Sequence, residues 1–300
     1  MSVLSAVVLT DGWSYTECPR WHEGRLWFVD MHRHQVVAVD DSGAHEVIVE
    51  LPGVVGGIGW LPDGRLLVVQ QDDRTILRLD PSGLAVHADL SGLVSSRLND
   101  MWVDRSGRAY VGEMGFDVHH FLADPEVLAA LAAERIDQPL AVSRTGRVFH
   151  VEPDGSFMVA AADLVFPNGI VGDPVTGELF VAETFGARIS RFTVGADGDL
   201  RPAGTIPLGF APDGLDIAGA GELWVSDPMH LAAARIGMDG TVRHRVTCDQ
   251  LCVACAARPD HPGTVYLCTA PLTDPAECLR LRGARIERLT TVPVQGGCGE

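Results

Sequence analysis

The sequence predicts an all-β protein: a six-bladed β-propeller with one short helical insertion in its third blade. One observation is a phrase that recurs six times, a glycine turn followed by a burst of alternating apolar residues. It reads Gly24-Arg-Leu-Trp-Phe-Val-Asp30 at its first occurrence and returns over 64–70, 107–113, 177–183, 221–227 and 263–269. A second is the spacing, because the start-to-start intervals are 40, 43, 70, 44 and 42 residues. Forty-odd residues is about one four-stranded propeller blade. The long third interval marks the insertion, assigned to residues 115–140.

Each unit has the same internal order. A polar or glycine-rich strand such as Gly56-Gly-Ile-Gly-Trp60 comes first, then a turn such as Pro62-Asp-Gly64, whose Asp and Gly supply the conformations a tight hairpin needs. The apolar burst follows as the second strand. A third strand alternates with period two, as in Gln35–Asp40, Thr75–Asp80 and Ile189–Thr193, and an outer strand such as Glu46–Val49 completes the blade. In the insertion, Asp124 before Pro125 is a helix N-cap with proline at the first position, and the run to Glu134 is rich in helix formers. A helix here lies on the surface, either as a tolerated excursion or as a lid over the central channel. The N-terminal strand, Val3 to Leu9, is expected to join the last blade beside Ala284–Leu289 and close the ring. Residues 1–300 are thus read as one propeller domain.

Composition narrows the chemistry. Net charge is −17, and all 23 basic residues are arginine. Without lysine, neither a Schiff base nor a Walker-type phosphate cradle is available. The acidic balance argues against nucleic-acid and anionic-membrane partners and favours a cation. No apolar run approaches a membrane span. Residues 1–10 do not read as an export leader, and 3–9 read as a strand, so a cytoplasmic protein is expected, monomeric or weakly homo-oligomeric, acting on a small molecule. The 7 cysteines are then read as reduced and buried. Cys248, Cys252 and Cys255 share the spacing of radical-SAM iron–sulfur loops, but they fall on a β unit and are read as strand cysteines.

The repeat also works as a ruler. Seven to nine residues before each repeat glycine lies the mouth end of the innermost strand, and four units carry an oxygen-bearing side chain there: Glu17, Asn99, Asn168 and Asp213. The second unit offers only Gly57. Two carboxylates and two carboxamides facing one axis are costly to bury without a partner. A hard divalent cation resolves that cost: Ca²⁺ foremost, with Zn²⁺, Mn²⁺ and Mg²⁺ as alternatives.

At these residues the chain resembles the SMP30/gluconolactonase, or regucalcin-like, family of six-bladed propellers. The blocks that carry the resemblance are Glu17-Cys-Pro-Arg-Trp21, Arg97-Leu-Asn-Asp100, Phe166-Pro-Asn-Gly169 and Pro212-Asp-Gly-Leu-Asp216, with a last-blade motif from Cys255 to Ala270. The resemblance implies one channel cation held by Glu17, Asn168 and Asp213, with Asn99 at the metal or the substrate. It implies Arg97 as a substrate-binding arginine, Asp117 as an acidic substrate contact and Asp213 as general base. The insertion departs from the sugar-lactonase pattern and carries Phe116, His119, His120 and Phe121; the two histidines either contact substrate or decorate the lid.

The expected activity is metal-dependent hydrolysis of a lactone, with a polarised carbonyl and an activated water. Alternatives on the same channel are phosphotriester hydrolysis or a ring-forming reaction; a non-catalytic binding propeller is a further one. Arg97 has an alternative as well, a salt bridge to Asp100. Neither a Gly-x-Ser-x-Gly elbow nor a His-Glu-x-x-His motif is present.

Overall fold

In the computed structural model, the described residues are 6–122, 124–132, 145–219 and 221–290. Their strands form six four-stranded antiparallel sheets, and each sheet matches one sequence unit. The first strands of successive sheets abut one another around a ring: Thr16–His22, Val55–Trp60, Leu98–Val103, Pro167–Asp173, Leu215–Gly219 and Leu251–Ala257. They are the innermost strands of blades 1 to 6. The repeat bursts form the second strands, buried on both faces between neighbouring blades, which is why they read as nearly continuous apolar runs.

The ring closes as the sequence suggests. The N-terminal strand is the fourth strand of blade 6 and pairs antiparallel with Ala284–Thr290, Val7 opposite Arg288 and Trp13 opposite Ala284. Its span, Val7–Trp13, lies four residues later than the 3–9 register read from the sequence, and residues 3–5 lie outside the described set. Trp13 fixes that register by packing edge-on against Phe28, with centroids 5.1 Å apart, in a cluster joining blades 6 and 1. Closure gives blade 6 its fourth strand and ties the N-terminal strand to the last blade, leaving only the short outer edges that every propeller blade has.

Blade 3 contains the insertion between its second strand, Ala109–Glu113, and its third, Gly146–Val151, which still pair in register. Two helices are described, α1 (Val118–Leu122) and α2 (Pro125–Ala132). Asp124 caps α2 by accepting from Glu126 N at 2.8 Å, as its position before Pro125 suggested. Residues 133–140 of the insertion lie outside the described residues. Phe116 and Phe121 anchor the segment on blade 4, packing with Phe166 and Phe185 at centroid distances of 4.8 to 5.9 Å.

Cys248, Cys252 and Cys255 sit together among Trp224, Val246 and Leu267 in an apolar cluster between blades 5 and 6. Hydrogen bonding to Cys248 and burial push the Cys252 thiol up, and burial pushes Cys255 up, in keeping with strand cysteines packed in an apolar cluster.

Candidate active site

The innermost strands do more than line a channel. In each of blades 1 to 4 the strand breaks register with its neighbour near its start, between Val55 and Ile58, Leu98 and Met101, and Pro167 and Ile170, and one residue later in blade 1, between Glu17 and Arg20. A bulge re-aims side chains and bends the strand. Here it turns Glu17, Asn99 and Asn168 toward one mouth. Asp213 reaches the same mouth from the segment just before Leu215–Gly219.

Pairing also corrects the sequence alignment in blade 2. Val55 pairs with Gln70 as Leu98 pairs with Glu113, so Gly56, and not Gly57, occupies the phase of Asn99. Both glycines are there for packing. A Cβ on Gly57 would lie 2.1 Å from Met101 N, and one on Gly56 2.7 Å from Asn99 O. Blade 2 lacks an oxygen ligand because its strand is pressed against the backbone of blade 3.

Glu17, Asn99, Asn168 and Asp213 line a single cavity of about 450 Å³ at this mouth. Asn99 Nδ2 donates to Asn168 Oδ1 at 3.0 Å and to Pro167 O at 3.2 Å, and Asn168 Nδ2 donates to Thr184 Oγ1 at 3.1 Å. Glu17 Oε2 accepts from Cys18 N at 3.1 Å. Cys18 takes a φ of +48° to make that contact, a left-handed conformation that is costly for a residue with a Cβ.

The electrostatics point the same way. Burial and the charge of Asp100 raise the Asp213 carboxyl to about 7, while a hydrogen bond from Asn168 opposes the shift. Burial and the charge of Asp213 push Glu17 well above its ordinary value. Tyr15, on the same wall, has its phenol driven up by burial and by both carboxylates. Two acidic groups thus crowd one desolvated space with a surplus of acceptor oxygens. That donor set suits a hard, oxygen-ligated cation. Among the described residues no group of three His, Cys, Asp or Glu is placed to hold a metal, so the carboxamides are integral to any such site.

Beneath this site Arg20 crosses the channel. From blade 1 its Nη2 donates to both oxygens of Asp100 at 2.8 Å and to Met101 O at 2.7 Å in blade 3, and reaches Ile170 O in blade 4 at 3.4 Å. Asp100 also accepts from Ile170 N at 3.1 Å. Asp100 is therefore committed to Arg20. The alternative of an Arg97–Asp100 pair is not what forms: Arg97 Nε instead meets Asp72 at 2.6 Å, at the rim of the cavity.

The insertion residues divide. Val118 lines the main cavity, and Asp117 lines an adjoining one while its carboxylate accepts from His120 N at 3.0 Å at the start of α1. His120 is exposed, and the His119 side chain lies outside the described set. The opposite rim comes from helix α3 (Pro275–Leu281), through Pro275 and Leu279, and from Met31, His32 and His34.

Sequence reasoning did not assign the residues that hold this geometry. Each repeat burst of blades 1 to 5 ends in a buried polar residue: Asp30, Gln70, Glu113, Glu183 and Asp227. Asp30 accepts from Ser14 N at 3.0 Å and Tyr15 N at 3.1 Å, just before Glu17. Glu113 accepts from Ser95 N at 3.2 Å and Arg147 Nε at 2.6 Å, before Asn99. Glu183 accepts from Val165 N at 2.7 Å and is neutralised by Arg188, before Asn168. These carboxylates clamp the crossover that presents each ligand. The signal was in the repeat itself, in the acid or amide that ends the burst.

With the ring, the inward bulges and the four oxygen donors described, the sequence relationships can be placed. Residues 15–270 match the SMP-30/gluconolactonase/LRE-like region. The chain belongs to this family. No curated protein matches the sequence. Among solved structures, a luciferin-regenerating enzyme is 18% identical, with a TM-score of 0.73 over 96% of each chain. The calcium-binding protein regucalcin from Agrobacterium tumefaciens is 21% identical, with a TM-score of 0.71 over 96% of each chain. A gluconolactonase from Xanthomonas campestris is 22% identical, with a TM-score of 0.67 over 94% of this chain and 88% of that one. At these identities the likeness establishes the shared propeller, and the family members differ in what they are named for. The match ends at Ala270, so the strand pairing that closes the ring lies largely beyond it.

Proposed function

We propose that this protein is a metal-dependent lactonase. The observation that carries the reading is the convergence of Glu17, Asn99, Asn168 and Asp213, from four different blades, on one solvent-reaching cavity. A scaffold that only binds a partner has no use for paired, desolvated carboxylates. A divalent cation, for which Ca²⁺ matches the oxygen donors, would be held by Glu17, Asn168 and Asp213, with Asn99 beside it, and would supply Lewis-acid polarisation of the ring carbonyl.

The chain's own residues supply the rest. Asp213, which the bound cation would keep ionised, accepts the proton of the attacking water. Asn168 fixes that carboxylate, and Asn99 holds Asn168 through a 3.0 Å hydrogen bond. With both Nδ2 hydrogens of Asn99 donated to Asn168 and Pro167, its Oδ1 remains an acceptor for the cation or a substrate hydroxyl. Arg97 orients the ring substituent from the rim, with Asp72 holding its guanidinium. Arg20 and Asp100 close the channel below, so reactants enter and leave by the mouth.

The reading of a small-molecule ligand and of a cytoplasmic setting belongs to the same proposal; among the described residues, no helix is long and apolar enough to cross a membrane. The test is acid release from a panel of lactones by protein treated with EDTA and then resupplied with Ca²⁺, with Asp213→Ala and Asn168→Ala as controls. Turnover that returns with Ca²⁺ in the unaltered protein alone supports the assignment. Turnover of a phosphotriester but of no lactone would move it to the other electrophile.

A further inference from the structure

The main cavity continues into a second chamber of about 360 Å³, which shares Arg97, Met114 and Val118 with it. Together they form one cleft: the oxygen donors at the inner end, an apolar waist of Met114 and Val118, and an outer end floored by Arg74, Ser95 and Ser96. Each chamber falls within the size usual for a small-molecule site, about 300–1,000 Å³.

Arg74 is the unexplained group in that outer end. Its backbone is tied down, with its N–H donating to Gln71 O and its carbonyl accepting from Leu90 N at 3.0 Å, and its φ is +58°. Its guanidinium makes no direct ion pair or hydrogen bond among the described residues, although it lies near enough to Asp89, which is not among the chamber's lining residues, to help hold that carboxyl down, and its Nε is buried without a partner. Leaving a buried donor of a charged group unpaired carries its full desolvation penalty. The acids of the chamber do not resolve it, because Asp72 is engaged by Arg97 at 2.6 Å and Asp117 accepts from the start of α1. In a chain of net charge −17, an arginine left unpaired in a cavity that leads to the reactive end is not a general feature of the surface.

We infer that the outer chamber is an anion subsite built on Arg74 with Arg97, and that the substrate is a lactone whose ring carries a short apolar arm ending in an acidic group. The acidic end would accept from the two terminal nitrogens of Arg74 as a bidentate pair, the planar fork with which guanidinium binds carboxylate and phosphate. The apolar arm would lie along Met114 and Val118. Polyhydroxylated sugar lactones present neither feature. The inference on substrate class rests on the lactonase reading; the subsite itself does not.

The experiment compares δ-lactones whose alkyl arm ends in a carboxylate or in the isosteric carboxamide, together with the corresponding non-hydrolysable lactams as binding probes in calorimetry. In the Ca²⁺-loaded protein, kcat/KM is expected to favour the carboxylate about ten- to a hundredfold, the range of one charge-assisted hydrogen-bonded contact. Arg74→Gln should collapse that ratio, Arg97→Gln should reduce it, and Arg105→Gln, an exposed turn residue, should leave it standing. Equal turnover of both lactones, with a ratio that Arg74→Gln does not move, overturns the subsite while leaving the lactonase reading intact. If no lactone is opened, the lactonase reading fails. Tighter binding of the carboxylate lactam that is lost in Arg74→Gln then still supports the subsite, and equal binding of both lactams overturns it.

Discussion

Removing Glu183 should both unfold blade 4 more easily and weaken the cation site, although Glu183 does not reach the cavity. Its carboxylate is wholly buried. It accepts from Val165 N at 2.7 Å, Ser190 Oγ at 2.5 Å and Arg188 at 2.8 and 2.9 Å. Deleting one partner of a buried ion pair costs about 3–5 kcal/mol, because the other charge is stranded. Arg188 keeps about a third of its side chain exposed (32%) and can turn to water, which favours the lower end, but the orphaned Val165 amide adds a further loss of about 1–3 kcal/mol. Glu183→Ala is therefore expected to cost about 4 kcal/mol, and Glu183→Gln, which keeps the volume and one acceptor, about half of that. Urea denaturation with an unchanged m-value measures the loss. Calcium titration of the folded variant should show weaker binding, because the Val165 amide sets the crossover that ends in Asn168. A Glu183→Ala protein within about 1 kcal/mol of the parent, with the same calcium affinity, would refute the clamp.

Other outcomes follow from the same geometry. Gly57→Ala should be severely destabilising or insoluble, because its Cβ meets Met101 N at 2.1 Å and backbone cannot yield; a soluble variant with the parent's denaturation midpoint would count against the tight contact of blades 2 and 3. The cation-free protein should lose stability as pH rises from about 4 through 7. Asp213 is raised from 3.8 to about 7 by burial and Asp100, so the fold holds its proton more tightly than the unfolded chain does, and that advantage disappears once the group ionises. Melts at pH 5 and pH 8 in EDTA read the effect, and Asp213→Asn should reduce it, leaving the part due to Asp216, which burial raises to about 6, and to Glu17. Calcium binding near pH 6 should accordingly release protons, seen as a dependence of calorimetric heat on the buffer, with no release at pH 9. Deleting residues 1–13 should strip blade 6 of its fourth strand and expose the edge of Ala284–Thr290, with aggregation as the readout; a monomeric, equally stable truncate would contradict closure by that strand.

Much of this molecule was legible in its sequence because a propeller repeats. The burst from Gly24 to Asp30 is apolar on both faces since it lies between blades, and six copies at one spacing leave little freedom in the architecture. The same spacing isolated Glu17, Asn99, Asn168 and Asp213, since residues in one phase of a ring must face one axis. It failed where the local backbone departs from an even strand. The chain between the ligand position and the repeat glycine varies in length, so an offset of seven, right for Glu17, picked Gly57 in blade 2, where eight, as for Asn99, reaches Gly56. Trp13, by packing against Phe28, set the closing strand four residues later than its apolar residues alone suggested. Arg20 and Arg74 could not be read at all. Each owes its role to contacts or vacancies between blades far apart in the chain, such as Arg20 with Asp100, which a one-dimensional pattern does not encode.

The most direct test is lactone opening by the unaltered protein before and after removal of bound metal, with metal content measured in the same samples. Activity that vanishes with the ion, returns on adding Ca²⁺ in proportion to one ion per chain, and is absent in Asp213→Ala is the expected result. Full turnover in metal-free protein, or undiminished turnover in Asp213→Ala, would contradict the assignment of the four-oxygen mouth as a metal-dependent catalytic site.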